Sequence, residues 1–307
     1  MIISASRRTD IPSYYGKWFV NRLLDGYVLI QNPYNAFRLS RLQLSPDTTD
    51  CIVFWTKNPA PMFEDLKTVS ELGYNYYFQY TITPYGEAWE SNLPSIEKRL
   101  DSLCFLSDRI GKQRIVWRYD PIIFNDVFSI QYHVEHFAIL CEKIHSYIDE
   151  CIISFVDNYN HLHNVIQVMS IEQMQTVGKS FSEIAKSFQL KLSTCSEKID
   201  LQKYGIMHAS CVDKKRIERI VGCSIKSKKD TGQRPECGCI ESVDIGSYGT
   251  CLNGCKYCYA TKNRQTAQNH FIQHDPASPM LIGWPTDSMI ITERKARSTK
   301  VSQISLF

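Results

Sequence analysis

Long apolar runs are missing. No stretch approaches the roughly 18–20 apolar residues that a bilayer span needs. The first ten residues (MIISASRRTD) lack the basic-then-apolar layout of an export signal and read as the start of a strand. A cytoplasmic protein with no membrane partner is expected. A strong charge of one sign is also missing: 35 Lys and Arg against 32 Asp and Glu leave +3. That is too mild to imply a polyanion partner. Neither an internal repeat nor a low-complexity stretch is evident. What the chain has is length and cysteine. Its 307 residues can bury a core without staples. Its 12 cysteines, in a reducing compartment, suggest a metal or a cluster rather than disulfides.

Apolar, β-rich runs alternate with helical patterns. Strands are expected over 2–6, 27–31, 51–55, 76–82, 114–118, 151–156 and 191–194, each followed by a polar loop. Helices are expected over 14–24, 62–72, 96–110, 130–148, 171–188 and 213–221. Ser170-Ile-Glu-Gln173 has the form of a capping box. This alternation predicts an α/β fold, a TIM-like parallel (β/α) barrel or partial barrel. The barrel is assigned to 1–265, with 266–307 as an extension ending in a mobile basic tail (Arg294, Lys295, Arg297, Lys300).

The strand ends carry chemistry. Arg7 and Arg8 follow the first strand, Lys57 follows 51–55, and Arg118 and Asp120 close 114–118. Asp157-Asn158 and Cys195-Ser-Glu197 follow two more. In a parallel barrel these ends share one mouth, where active sites form. Polar residues cap any strand, since loops are wet. Five such ends bearing Arg, Lys and Asp point instead to a site for an anionic substrate, because the guanidinium fork suits carboxylate and phosphate.

Cys251-Leu-Asn-Gly-Cys255-Lys-Tyr-Cys258 has C-x3-C-x2-C spacing. Three thiolates on one tight loop can hold three corners of a [4Fe–4S] cube and leave one iron open. Cys195, Cys211, Cys237 and Cys239 supply four further candidates, for which a second cluster is expected; buried packing is the plainer reading of Cys195 and Cys211. A zinc reading joins Cys237 and Cys239 to Cys255 and Cys258 in a tetrahedral ribbon, which leaves Cys251 unused. On that reading the protein is a non-catalytic nucleic-acid or clamp binder. Packing accounts for Cys51, Cys104, Cys141, Cys151 and Cys223. The pair His161 and His163 reads as exposed, the aromatic run 74–80 as core, and Lys226–Lys229 as a solvated basic face.

The cysteine loop resembles the signature of radical S-adenosylmethionine enzymes, with Tyr257 in the aromatic place before the last cysteine. The resemblance implies that Cys251, Cys255 and Cys258 hold the cluster and that Tyr257 lies near the adenine. It further implies an external electron donor, reductive cleavage of S-adenosylmethionine, and hydrogen abstraction from a substrate. No Gly-Gly-Glu element of the kind that holds the methionine moiety is present. In those enzymes the loop follows the first strand; here it follows 241–245, and pairing of that strand beside 2–6 would restore its place. The segments SRRTDIP, FWTKNP, WRYDPI, ISFVD and RPECGC, with the loop, resemble a bacterial family, domain of unknown function 1848, over about 3–260. The last residues, with Gln303, Leu306 and Phe307, resemble the peptide by which bacterial replication and repair proteins bind the sliding clamp. A flexible basic tether would let the Leu–Phe pair fill an apolar pocket. That partner would direct the chemistry at DNA, by analogy with spore photoproduct lyase.

Overall fold

A parallel sheet covered on both faces needs strands that are apolar throughout, and the chain supplies them. The computed structural model describes residues 1–157, 159–162 and 165–301. Its strands are β1 (Ile2–Ala5), β2 (Tyr27–Asn32), β3 (Asn35–Gln43), β4 (Cys51–Thr56), β5 (Tyr76–Thr81), β6 (Ile115–Ile122), β7 (Glu150–Phe155), β8 (Lys191–Thr194), β9 (Met207–His208), β10 (Val243–Asp244) and β11 (Ile290–Arg294). The helices are α1 (Ile11–Tyr14), α2 (Gly16–Asp25), α3 (Asp65–Glu71), α4 (Ile96–Ile110), α5 (Ile130–Ile144), α6 (Ile171–Ser187), α7 (Lys214–Val221) and α8 (Arg264–Ile272).

Eight strands form one sheet in the order β10-β1-β4-β5-β6-β7-β8-β9, and every pairing in it is parallel. The edges β9 and β10 do not pair, so the structure is a partial barrel. The expected late strand is β10: Val243 pairs with Ile3 and Asp244 with Ser4. The cysteine loop therefore leaves a strand adjacent to β1, as in a permuted barrel.

Side chains alternate between the two faces. Ile52, Phe54, Phe78, Trp117, Tyr119 and Ile153 pack outward on the helices. Stacked rings of Trp117, Phe137 and Phe181 tie β6 to α5 and α6. The inner positions Ile2, Cys51, Val53 and Tyr77 meet Val212, Ile217, Ile225 and Ile240, so α7 and the chain after it fill the inner face. Each fully buried large apolar side chain contributes about 1.5–3 kcal/mol. Ser95 and Ser129 cap α4 and α5, and Ser170 with Gln173 closes the capping box of α6.

Two expectations are corrected. Run 27–31 is β2, but it belongs to a separate three-stranded sheet, β11-β3-β2, in which it pairs antiparallel with β3. Asn32-Pro-Tyr-Asn35 turns the chain back at once, which leaves no room for a crossover. The basic tail is not a loose end as far as residue 301. β11 pairs with β3, and Asp50 accepts from Ser298 Oγ at 2.6 Å and Thr299 N at 2.7 Å. The Met1 ammonium donates to the carbonyl of Arg297 at 2.6 Å. Gln303, Leu306 and Phe307 lie outside the described residues. Among the described residues no helix is long and apolar enough to cross a membrane.

Candidate active site

The C-terminal ends of the parallel strands converge on a cavity of about 430 Å3. Its lining includes Arg7, Arg8, Lys57, Arg118, Asp120, Tyr257 and the thiols of Cys195, Cys211, Cys237, Cys239, Cys251, Cys255 and Cys258. Residues far apart in sequence are brought together because parallel strands all deliver their following loops to one end. A larger concavity of about 710 Å3 opens where β7 and β8 begin. There Glu150 is satisfied by Lys191 at 2.6 Å and Arg216 at 2.7 Å, and Cys223 is the thiol that borders it.

The cysteine loop is held from three sides. Thr9 Oγ1 lies 2.6 Å from Thr250 Oγ1, and Tyr15 OH donates to the Thr250 carbonyl at 2.7 Å. Asn253 donates through Nδ2 to Asp10 at 2.9 Å and accepts from Tyr14 OH at 3.0 Å. Asn92 donates to the carbonyl of Leu252 at 2.6 Å, and Lys256 N donates to that of Trp89 at 2.9 Å. Gly254 turns the loop at φ +70°, where a Cβ would collide with the Ser91 hydroxyl.

Cys251, Cys255 and Cys258 are half-buried on this loop. Burial raises all three thiols. Cys251 also feels Asp10 and its two partners, and Cys255 feels Glu90 and Cys258; Cys255 is pushed up to about 12, with Lys57 opposing. Three thiols that resist ionisation on their own, beside a cavity, fit a cationic metal group that would hold them as thiolates. Among the described residues no three His, Cys, Asp or Glu side chains close around a single-ion position. A cube spaces its thiolates more widely than one tetrahedral ion does.

Glu90 is the residue that the sequence reading missed. It is 2% exposed, and its carboxylate accepts from Lys57 Nζ at 2.8 Å, Thr83 Oγ1 at 2.8 Å, Arg99 Nη1 at 3.2 Å and the Tyr257 hydroxyl. Burial opposes its charge, but Lys57 and Arg99 outweigh burial and hold it below the usual carboxylate range. Lys57 is thus an internal partner, and its ammonium also lies 5.4 Å from the centre of the Tyr257 ring. Tyr257 packs edge-on against Tyr85 at 5.7 Å. Glu90 lies in the loop after β5, nine residues beyond the strand end, where no local pattern marks it.

Arg118 gives Nε to Asp120 at 2.9 Å and Nη1 to Cys211 Sγ at 2.8 Å, and Asp120 also accepts from Ser154. Its guanidinium is therefore aimed at a thiol as well as at a carboxylate. Arg7 stacks over Trp55 at 4.8 Å, and its Nη2 is buried without a hydrogen-bond partner among the described residues. Arg8 lies over the Tyr248 ring at 5.0 Å. Glu197, also on the wall, accepts from Phe155 N at 2.8 Å; burial, against that bond, pushes it up to about 8.

The other four cysteines group together. Cys195 and Cys211 Sγ are 3.2 Å apart, and Cys211, Cys237 and Cys239 share one buried cluster against which Cys195 packs. Val212 N donates to Cys239 Sγ at 3.3 Å. Cys237 and Cys239 pack with Cys211 in the cluster on the inner face, whereas Cys255 packs in a different cluster with Tyr85 and Tyr257. His161 is exposed, as expected, and His163 lies outside the described residues.

Fold and mouth define an α/β protein of open parallel-barrel type, with a thiol-rich, cation-bearing cavity at the strand ends. The chain matches the family described as "Domain of unknown function (DUF1848)" over residues 2–260, and belongs to it. Among solved structures it is similar to a Bacteroides thetaiotaomicron protein described as a putative alpha-L-fucosidase, at 10% identity and a TM-score of 0.27, covering 73% of this chain and 82% of that one. A likeness so slight carries no argument about chemistry. A search of curated proteins found no match.

Proposed function

We propose that the protein is an iron–sulfur enzyme of radical S-adenosylmethionine type acting on an anionic substrate. One observation carries the reading: Cys251, Cys255 and Cys258 border the same cavity as Arg7, Arg8 and Lys57. Cys251, Cys255 and Cys258 would hold the cluster, and Tyr257 and the adjoining wall would receive the sulfonium cofactor. When bound, those groups supply one electron and a hydrogen-abstracting fragment.

The chain's own residues do the rest. Asn253, Thr250 and Asn92 fix the loop so that its thiols face the cavity edge. Glu90 holds Lys57 in place, and through Tyr257 couples that cation to the loop. Arg8, whose guanidinium has no carboxylate partner among the described ion pairs, can take a substrate phosphate or carboxylate. Trp55, Tyr159 and Tyr259 line the mouth and limit water access.

Cys255→Ala tests the reading. The variant is expected to keep native far-UV circular dichroism, to lose about four irons per chain, and to stop forming 5′-deoxyadenosine from S-adenosylmethionine. Retained 5′-deoxyadenosine formation would reject the assignment. A colourless native protein carrying stoichiometric zinc would do the same.

A further inference from the structure

Four thiols outside the cysteine loop meet on another part of the cavity wall, and the surroundings are built for negative charge. Cys195 comes from the end of β8, Cys211 from the turn after β9, and Cys237 and Cys239 from the segment that fills the inner face. Packing alone does not require thiols there. Apolar groups of the same size would serve, without placing buried cations beside them.

We propose that Cys195, Cys211, Cys237 and Cys239 ligate a second metal centre, an iron–sulfur cube, on the cavity wall. Two guanidiniums line the same cavity wall. Arg118 Nη1 lies 2.8 Å from Cys211 Sγ, and Arg7 brings a buried Nη2 that finds no partner among the described residues. The Val212 N–H lies 3.3 Å from Cys239 Sγ. Cations and N–H donors directed at sulfur are the surroundings that stabilise the net negative charge of a thiolate-ligated cluster.

The pattern favours a cube over zinc. Cys237-Gly-Cys239 is C-x-C, whereas structural zinc pairs are spaced by two to four residues. The Cys195–Cys211 separation of 3.2 Å is closer than the ligands of either centre keep, about 3.8 Å for tetrahedral zinc and more for a cube. Loading therefore requires that pair to open by side-chain rotation. The half-buried Cys195 has the freedom to do so.

The experiment removes the loop centre and counts what is left. The triple variant Cys251→Ala, Cys255→Ala and Cys258→Ala is reconstituted anaerobically with iron and sulfide. It is expected to bind about four irons and four sulfides per chain, and to give a paramagnetic signal on reduction. Adding Cys237→Ser and Cys239→Ser should remove both. A folded triple variant that holds no iron, that holds one zinc instead, or that loses about 2 Da to a Cys195–Cys211 disulfide overturns the proposal. If the triple variant does not fold, Cys237→Ser with Cys239→Ser in the otherwise native chain decides. A loss of about four irons supports the second centre, and unchanged iron overturns it. The triple variant retains the second centre even if the loop binds nothing, so this test and that of the loop fail separately.

Discussion

Replacing Glu90 by Gln keeps the size of the side chain and an acceptor oxygen but removes the charge that two cations share. Glu90 and Arg99 are each 2% exposed, and the Lys57 side chain is 12% exposed. Breaking a buried ion pair from one side costs about 3–5 kcal/mol, because the remaining charge stays desolvated. Unfolding entropy of about 2.1 cal/mol/K per residue over 307 residues gives about 0.6 kcal/mol/K. The expected fall in Tm is therefore about 5–8 °C. The sign with pH is fixed as well. Glu90 ionises more readily when folded, so its contribution is present above the ordinary carboxylate pKa and is lost as pH falls through the lower folded value. Differential scanning calorimetry of native, Glu90→Gln, Lys57→Met and double variants at about pH 7 provides the assay. The double variant restores one cation to one neutral acceptor, so it should recover part of the loss. A Glu90→Gln melting point within about 1 °C of native, or strict additivity in the cycle, would refute the reasoning.

Two further outcomes can be checked. His133 is fully buried, with its ring nitrogens 2.8 Å from Tyr119 OH and 2.6 Å from the Ile123 carbonyl, and burial holds its pKa at about 4. As pH falls from about 6.5 the unfolded chain takes up a proton that the folded chain refuses. Stability thus declines towards about pH 4 by about 3 kcal/mol from this group. Denaturant titrations should show that His133→Gln flattens that decline, and an unchanged slope relative to native would count against it. Gly254→Ala forces a Cβ into the Ser91 hydroxyl at a positive φ, at a cost of about 1–3 kcal/mol. The loop should shift, and iron bound per chain should drop while the sheet keeps its circular dichroism; full loading would argue against so rigid a loop.

Much of the architecture was legible because parallel strands are apolar runs of fixed length. The runs at 51–55, 76–82 and 191–194 became β4, β5 and β8 within a residue or so, and the pattern at 96–110 became α4. Run 27–31 misled because a hairpin strand and a barrel strand share the same local composition; the partner strand decides. Glu90 escaped notice because nothing in YGEAWE distinguishes a solvated carboxylate from one enclosed by two cations.

The sequence by itself determined which chemistries were available: soft thiols at fixed spacing, guanidiniums after strands, and an alternation that builds parallel βα units. Spacing along a chain is a covalent property, so the trio at Cys251, Cys255 and Cys258 is close in any fold. Only the tertiary structure decided that β10 lies beside β1, that Cys195 meets Cys211 across 15 intervening residues, and that Lys57 answers to Glu90. Those encounters depend on which strands become neighbours. Strand order is set by the packing of whole elements, to which no local run of residues has access.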